Sequence, residues 1–163
     1  NIQAGGADFL LICTNTMHKV AAPIESAINI PLIHIADATA ASLVAAGVSR
    51  VGLLGTRFTM EEEFYKGRLQ ERFGINVVVP ESAARAKISG IIYDELCLGT
   101  LREESKRFYL DTIAALSDQG AQAVILGCTE IALLVQQADT PIPLFDTTAI
   151  HAQAAIDAAL AED

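Results

Sequence analysis

The sequence is poor in several features that would mark particular classes of protein. Its 163 residues include no Trp and only 6% aromatic residues. No run approaches the roughly 18 consecutive apolar residues that a membrane-spanning helix needs. Eleven Lys and Arg stand against 20 Asp and Glu, for a net charge of -9, and the basic residues do not cluster. Because nucleic-acid and anionic-lipid surfaces need concentrated positive charge, we expect no nucleic-acid partner and no membrane partner.

The three cysteines fit neither a disulfide framework nor a CxxC metal site. Cys13, Cys97 and Cys128 are odd in number and lie far apart in the sequence. Free thiols of this kind indicate a reducing compartment, so the sequence predicts a cytoplasmic protein. The chain starts at Asn1 rather than Met and reaches a strand within a few residues, which predicts that its beginning is missing.

The composition does supply a core, because 52% of the residues are apolar. Short apolar runs alternate with helical patterns along nearly the whole chain, including predicted helices over residues 17–29 and 83–98. The predicted strands are residues 8–12, 32–35, 51–54, 75–79, 123–126 and 144–145. Helical connections between such strands require parallel pairing, and strands this apolar are covered on both faces. The sequence thus predicts an α/β fold of open, mainly parallel sheets flanked by helices, in two lobes.

Two of the predicted strands end in the same short motif. Residues 9–16 and 124–130 each consist of a buried strand, then Cys-Thr, then the start of a helix. Ligands of open α/β sheets collect outside the carboxyl ends of the strands, where Cys13 and Cys128 are expected to stand. Free N–H groups at the following helix favour a thiolate and also suit a carboxylate ligand. From this pattern alone, a chemical role for the two thiols and a role as small buried hydrophobic groups are equally supported.

Two thiols that face each other across a cleft suit one reaction well. One thiolate removes a weakly acidic proton from a carbon, and the opposing thiol delivers a proton to the other face. The stereocentre is inverted without a metal or an organic cofactor, and nearby donors stabilise the developing charge. Cys97 lies in a helical pattern without a comparable context, so it is predicted to be structural.

These motifs resemble those of a known family. Cys-Thr-Asn-Thr-Met-His at residues 13–18 and Leu-Gly-Cys-Thr-Glu-Ile at residues 126–131 resemble the two signatures of the aspartate/glutamate racemase superfamily. The closest likeness is to its aspartate-racemase branch, which includes broad-specificity amino-acid racemases. Residues 54–60 and 90–96 extend the resemblance, which covers the whole chain. It implies a PLP-independent amino-acid racemase that uses no cofactor, has two pseudo-symmetric lobes with the active site between them, and is commonly a homodimer.

The resemblance also implies which residues form the site. Cys13 and Cys128 would be the two bases, one for each enantiomer of an amino-acid substrate. The other implied site residues are Thr14, Asn15 and Thr16 on the first lobe's side, and Thr56, Thr59, Thr129 and Glu130 on the second lobe's side. Glu130 would either tune the basicity of Cys128 or bind the substrate ammonium. We expect residues 1–38 and 141–163 to form the first lobe and residues 39–140 to form the second.

Two departures from the family pattern limit what the resemblance implies. Family members carry an earlier pair of strand–helix units, with a Gly-Gly motif and a substrate-binding Arg, that has no counterpart here. We therefore expect the first lobe to be incomplete at its N-terminal side. Some aspartate-specific members have Lys four residues after the tyrosine that matches Tyr93, and that position here is Cys97. The missing cation favours a substrate range broader than aspartate.

Other polar residues have competing interpretations. Thr59 and Glu62 form a Thr-x-x-Glu capping box, so Thr59 is predicted to open a helix, to contact substrate, or both. Residues 61–63, all Glu, suit the first turn of a helix better than a metal site. His18 is predicted to be structural or to tune Cys13 indirectly, and His34 to be a satisfied core residue.

Two other functions remain compatible with the sequence. One is a related isomerase, hydantoin racemase or decarboxylase that acts on another small acid. The other is a small-acid binding protein without catalytic activity. Asn15 and Glu130 favour the amino-acid racemases, and the retention of both Cys-Thr motifs favours catalysis, because a binding protein needs neither thiol.

Overall fold

The computed structural model describes residues 2–161, along which strands and helices alternate. The strands are β1 Leu10–Leu11, β2 Leu32–Ile33, β3 Arg50–Gly55, β4 Asn76–Val78, β5 Ala123–Gly127 and β6 Leu144–Asp146. The α-helices are α1 Ala21–Ala27, α2 Ile35–Ala45, α3 Arg57–Glu61, α4 Glu63–Phe73, α5 Ser82–Asp94, α6 Glu103–Asp118, α7 Ile131–Leu134 and α8 Thr147–Leu160. Short 3-10 turns lie at Gln3–Gly5, Thr16–Val20, Leu96–Leu98 and Gln137–Asp139.

The strands of the described residues form two parallel sheets. β1 pairs with β2, and the larger sheet has the order β4-β3-β5-β6. β3 and β5 run in register from Val51 opposite Ala123 to Gly55 opposite Gly127. Helices connect these parallel strands, as parallel pairing demands. The prediction of an α/β fold with open parallel sheets is confirmed.

The division of the chain into lobes at residues 38 and 141 stays a prediction. β6 belongs to the segment expected in the first lobe, yet it pairs with β5 in the larger sheet. α8, from the same segment, packs against α2 and contacts β2, β5 and β6. The C-terminal segment therefore joins the two sheets.

Alternate residues of β3 and β5 face opposite sides of the larger sheet and fill two apolar cores. Val51 and Leu53 belong to the core that includes side chains of α2 and α4. Leu54 and Leu126 belong to the core that includes side chains of α5 and α6. Each fully buried side chain of this size contributes roughly 1.5–3 kcal/mol to folding. The prediction that these two strands are covered on both faces is confirmed.

The carboxyl ends of β3 and β5 approach each other closely because both strands end in glycine. A Cβ atom on Gly127 would lie 2.7 Å from the carbonyl oxygen of Leu54. A Cβ atom on Gly55 would lie 2.9 Å from the carbonyl oxygen of Gly127. Neither distance leaves room for a side chain, so glycine at both positions lets the segments that follow these strands lie side by side.

Two predicted helices are shorter than their sequence patterns indicate. The segment 17–29 begins as the 3-10 turn Thr16–Val20 and becomes α-helical only in α1. Pro23 explains the change, because proline has no N–H to bond the carbonyl one turn earlier. The predicted helix 83–98 ends at Asp94, and the rest of the segment forms the 3-10 turn Leu96–Leu98.

The predicted opening of a helix at Thr59 is wrong. Thr59 lies inside α3, whose N-cap is Thr56, and the Thr56 hydroxyl accepts the Thr59 N–H at 3.4 Å. Glu62 is the N-cap of the next helix, so it cannot complete a capping box with Thr59. The motif Thr56-Arg57-Phe58-Thr59 caps one turn earlier than the Thr-x-x-Glu pattern predicts.

Candidate active site

Both cysteine motifs open into one pocket of about 330 Å³ at the carboxyl ends of the parallel strands. This is where ligands bind in open α/β sheets, and the volume suits a small molecule. The pocket brings together every predicted site residue except Thr59. Its lining is Cys13, Thr14, Asn15, Thr16, Thr56, Ile92, Tyr93, Cys97, Gly127, Cys128, Thr129 and Glu130.

The two cysteines differ in their surroundings. Cys13 lies just beyond β1 and is exposed, whereas Cys128 directly follows β5 and is buried. The Cys128 thiol donates a hydrogen bond to Glu130 Oε2 at 2.9 Å. Burial, assisted by this hydrogen bond and the Glu130 charge, raises the pKa of Cys128 to about 12. At neutral pH Cys128 is therefore a protonated thiol.

Glu130 is the charged member of this pair. Burial opposes its ionisation, but hydrogen bonds from Cys128 and Thr129 hold the pKa of the Glu130 carboxyl below its usual value. The prediction that the following helix favours a thiolate is therefore wrong for Cys128. The helix that follows, α7, has only four residues and starts at Ile131, so its dipole is weak beside burial and a neighbouring carboxylate.

Three hydroxyls connect the Cys13 turn to the end of β3. Thr16 Oγ1 lies 2.9 Å from Thr56 Oγ1 and 3.4 Å from Thr59 Oγ1, and the latter two lie 3.2 Å apart. Thr59 is fully buried behind the other two and does not line the pocket. The predicted substrate contact of Thr59 is therefore corrected to support of Thr16 and Thr56.

Four pocket residues were not predicted as site residues, and one of them is Gly127, which ends β5. Ile92 and Tyr93 reach the pocket from α5, and Cys97 reaches it from the 3-10 turn that follows. Cys97 is exposed, and its predicted structural role stays a prediction. Partial burial and the nearby Glu130 charge raise the pKa of its thiol. Two signals in the sequence could have found Tyr93 and Cys97: their spacing of four, which places residues on one side of a helical segment, and the Lys of some aspartate-specific family members at the position of Cys97.

A histidine lies directly behind the Cys13 turn. His18 Nδ1 lies 2.8 Å from the carbonyl oxygen of Thr14, and His18 Nε2 accepts the Ile35 N–H at 3.2 Å. Because Nε2 must accept, Nδ1 carries the proton and donates to Thr14. Burial, the largest influence, lowers the pKa of His18 to about 4. His18 does not line the pocket, so it is placed to hold the backbone of Thr14 rather than to contact a ligand.

Two further histidines pack around His18. The ring centroid of His34 lies 4.4 Å from that of His18, and the centroid of His151 lies 5.8 Å from it. His34 is buried and accepts the Ala36 N–H at 3.1 Å, which confirms a satisfied core histidine, although it caps α2 instead of lying in a strand. Burial, with the neighbouring imidazole of His18, lowers the pKa of His34 to about 3.

The acidic run 61–63 lies at the surface. Glu61 pairs with Arg85, Glu62 with Lys19 and Glu63 with Lys66. Within residues 2–161, no group of three or more His, Cys, Asp or Glu side chains is placed to hold a metal ion. No helix in this part of the chain has the length and apolarity needed to cross a bilayer.

Comparison with known proteins shows one consistent family. Residues 1–155 match the family model described as Asp/Glu/Hydantoin racemase. The broad-specificity amino-acid racemase RacX of Bacillus subtilis (strain 168) is 24% identical over 171 residues, which cover 98% of this chain and 68% of RacX. A crystal structure from Yersinia pestis, assigned as an Asp/Glu racemase, is 52% identical with a TM-score of 0.94, and the match covers 98% of this chain and 70% of that one. An aspartate racemase homologue from Pyrococcus horikoshii OT3 is 33% identical with a TM-score of 0.87, over 97% of this chain and 69% of that one.

Proposed function

Because the chain belongs to the Asp/Glu/hydantoin racemase family, and so is an isomerase, we propose that it racemises amino acids without a cofactor through a pair of cysteines. The observation that carries the proposal is the shared pocket. Cys13 follows a strand of the smaller sheet and Cys128 follows a strand of the larger one, yet both line the same 330 Å³ space. Two thiols from separate sheets are suited to reach opposite faces of one carbon.

The protonation of Cys128 gives the two thiols different starting roles. In one direction the Cys13 thiolate removes the α-proton of the substrate, and the Cys128 thiol donates its proton to the opposite face of the carbanion. Cys13 ends as a thiol and Cys128 as a thiolate. For the other enantiomer the reaction starts from the state that the first direction leaves, with Cys13 as the thiol and Cys128 as the thiolate. The Cys128 thiolate then removes the α-proton, and the Cys13 thiol donates to the other face.

The remaining lining residues suit the polar groups of an amino acid. The pocket that both cysteines line is also lined by Thr14, Asn15, Thr16, Thr56 and Thr129. The threonine hydroxyls suit the substrate carboxylate, and they stabilise the charge that builds on it as the α-proton leaves. The negative charge of the Glu130 carboxylate suits the substrate ammonium.

Broad substrate specificity is supported from two directions. Tyr93 and Cys97 form a neutral part of the pocket wall, and the only formal charge among the described lining residues is the Glu130 carboxylate. A side chain that carries its own negative charge meets no counter-charge there. RacX, which matches nearly the whole chain, is itself a broad-specificity amino-acid racemase.

Exchange of the α-proton tests the proposal directly. The full-length protein is incubated in deuterated water with a panel of D- and L-amino acids, and NMR follows deuterium incorporation and inversion. We expect exchange with inversion for one or more amino acids. If a folded protein exchanged the α-proton of no amino acid in the panel, amino-acid racemisation would be refuted. Other small acids would then be tested as substrates, and after them a binding function.

Cysteine variants separate the two-thiol mechanism from the activity itself. Cys13→Ser and Cys128→Ser are each expected to abolish racemisation, while exchange on one side alone is compatible with the loss of one base. Cys97→Ser is the matched control, because Cys97 lines the same pocket but has no part in the proposed proton transfers. Full racemisation in both single variants would rule out the two-cysteine mechanism.

The homodimer and the cytoplasmic location stay predictions. Light scattering coupled to size-exclusion chromatography measures the mass of the assembly in solution. Cell fractionation of the untagged protein tests the location.

A further inference from the structure

The side chain of Asn15 reaches out of the Cys13 turn to the first residue of α8. Asn15 is 2% exposed, and its Nδ2 donates a hydrogen bond to Thr147 Oγ1 at 3.0 Å. Thr147 is fully buried, and its hydroxyl donates to the carbonyl oxygen of Leu126 at 2.9 Å. Three segments that are distant in sequence are thereby joined through one hydroxyl.

The direction of these bonds determines the orientation of the Asn15 carboxamide. A threonine hydroxyl has a single proton, and in Thr147 that proton is directed to the Leu126 carbonyl. The Thr147 oxygen can therefore only accept from Asn15, so the amide nitrogen must face it. The amide oxygen is left at the other end of the carboxamide.

The partners of Thr147 belong to the two cysteine motifs. Asn15 is the second residue after Cys13, and Leu126 is the second residue before Cys128. Leu126 lies in β5, the strand that carries Cys128. Thr147 is thus the link between the turn of one proposed base and the strand of the other.

The Thr147 hydroxyl is free for this role because another residue caps α8. Asp146 Oδ1 accepts the N–H of Thr148 at 2.9 Å and that of Ala149 at 3.4 Å. A hydroxyl at position 147 is therefore not needed to satisfy the start of the helix. Its two hydrogen bonds serve contacts with the turn and the strand.

The free end of the Asn15 carboxamide points to a ligand. Within residues 2–161, Asn15 Oδ1 is buried and has no hydrogen-bond partner, although Asn15 lines the pocket. A buried carbonyl oxygen is normally paired, and one left alone destabilises the protein. An N–H donor from a bound molecule would satisfy it, and the ammonium of an amino acid is such a donor.

We propose that Thr147 is a positioning residue for racemisation. It holds Asn15 with its amide oxygen available to the substrate ammonium, and it fixes the Cys13 turn relative to the strand that carries Cys128. This inference rests on the proposed function. Thr147 acts through Asn15 and Leu126 and does not touch the substrate, since it lies outside the pocket lining.

Paired substitutions at Thr147 test the role. Thr147→Val keeps the shape and removes the hydroxyl, whereas Thr147→Ser keeps the hydroxyl. We expect Thr147→Val to lower kcat/KM by roughly tenfold to a hundredfold, as small misplacements of binding groups do, and Thr147→Ser to restore most of the loss. Thr148→Val is the matched control, because Thr148 is the exposed neighbour and is expected to leave kcat/KM unchanged.

A double-mutant cycle with Asn15→Ala separates positioning from a general loss of stability. If Thr147 acts through Asn15, Thr147→Val has little further effect on kcat/KM once Asn15 is alanine. The proposal would be overturned if folded Thr147→Val had the same kcat/KM as the parent. It would also be overturned if Thr147→Val lowered kcat/KM by the same factor with Asn15 present as with alanine in its place.

Hydrogen exchange of the Asn15 side-chain amide provides a readout that does not depend on activity. We expect NMR to show protected Nδ2 protons in the parent and in Thr147→Ser, and unprotected ones in Thr147→Val. If the parent racemises no amino acid, the proposed function fails, and protection of these protons still decides whether Thr147 holds Asn15. Equal protection in parent and Thr147→Val would refute the positioning role.

Discussion

The reactivity of Cys128 is the most direct consequence of its environment. Its pKa is raised from 9.0 to about 12, so at pH 8 the thiolate fraction falls by about a thousandfold, tenfold for each pKa unit. A more basic thiolate is a better nucleophile, with a Brønsted slope near 0.4–0.5, and this recovers roughly 15-fold to 30-fold. We therefore expect Cys128 to react with an aromatic disulfide about 30-fold to 60-fold more slowly than an ordinary thiol, and steric shielding slows it further.

The assay uses a variant in which Cys128 is the only thiol, Cys13→Ser/Cys97→Ser, and follows its reaction with the disulfide reagent from pH 7 to 11. Adding Glu130→Gln removes the negative charge and replaces a carboxylate acceptor with a weaker amide. The pKa of Cys128 is then expected to fall and the rate at pH 8 to rise. It should stay slower than an ordinary thiol, because burial is the larger cause of the raised pKa.

The matched control for Glu130→Gln is Glu103→Gln, at an exposed position in the first turn of α6, which should leave the rate unchanged. Full unfolding in urea should bring Cys128 to ordinary reactivity. A folded protein whose Cys128 reacts at pH 8 as fast as a free thiol would refute the reasoning. If Glu130→Gln left the reaction rate of Cys128 unchanged, Glu130 would not be a cause of the raised pKa of the Cys128 thiol.

Two further predictions concern stability. The pKa values of His18 and His34 are about 4 and about 3 in the folded protein, so between pH 6.5 and 4 the unfolded chain binds protons at these residues that the folded protein does not bind. As the pH is lowered from 6.5 to 4, the free energy of unfolding should therefore decrease by about 2–5 kcal/mol in total. Urea midpoints measured against pH check this, and His18→Gln should flatten the slope. Gly127→Ala places a Cβ atom 2.7 Å from a carbonyl oxygen and should lower the free energy of unfolding by about 1–3 kcal/mol. Gly67→Ala in α4, where the Cβ contacts are 3.5 Å or more, should raise it by about 0.5–1 kcal/mol. Equal unfolding free energies for the two alanine variants would contradict the proposed strand approach.

The parts of the site that the sequence predicts are those that depend on local pattern. A strand followed by Cys-Thr at two places is enough to place both motifs at the same kind of strand end, because parallel strands bring their carboxyl ends to one edge. Cys128 and Glu130 are close in sequence, so their proximity in space follows almost directly. The direction of the thiol pKa did not follow, since it depends on burial as well as on a neighbouring helix.

The parts that the sequence does not predict depend on contacts between distant segments. Asn15 and Thr147 are 132 residues apart, and nothing local to either one marks the pair. His18 and His151 are similarly remote, and they meet because α8 packs against α2 and the smaller sheet. Thr59 is a local exception, because its own motif resembles a helix cap while the cap that forms belongs to Thr56, three positions earlier.

The order of the segments along the chain has a consequence for folding during translation. β6 and α8 follow both cysteine motifs in sequence, yet they supply the strand that flanks β5 and the threonine that anchors Asn15. During translation the two thiols therefore emerge before the segment that joins the sheets around them. A nascent chain that stops short of residue 147 carries both cysteines but lacks the link between them, so the finished pocket forms only after β6 and α8 have been made.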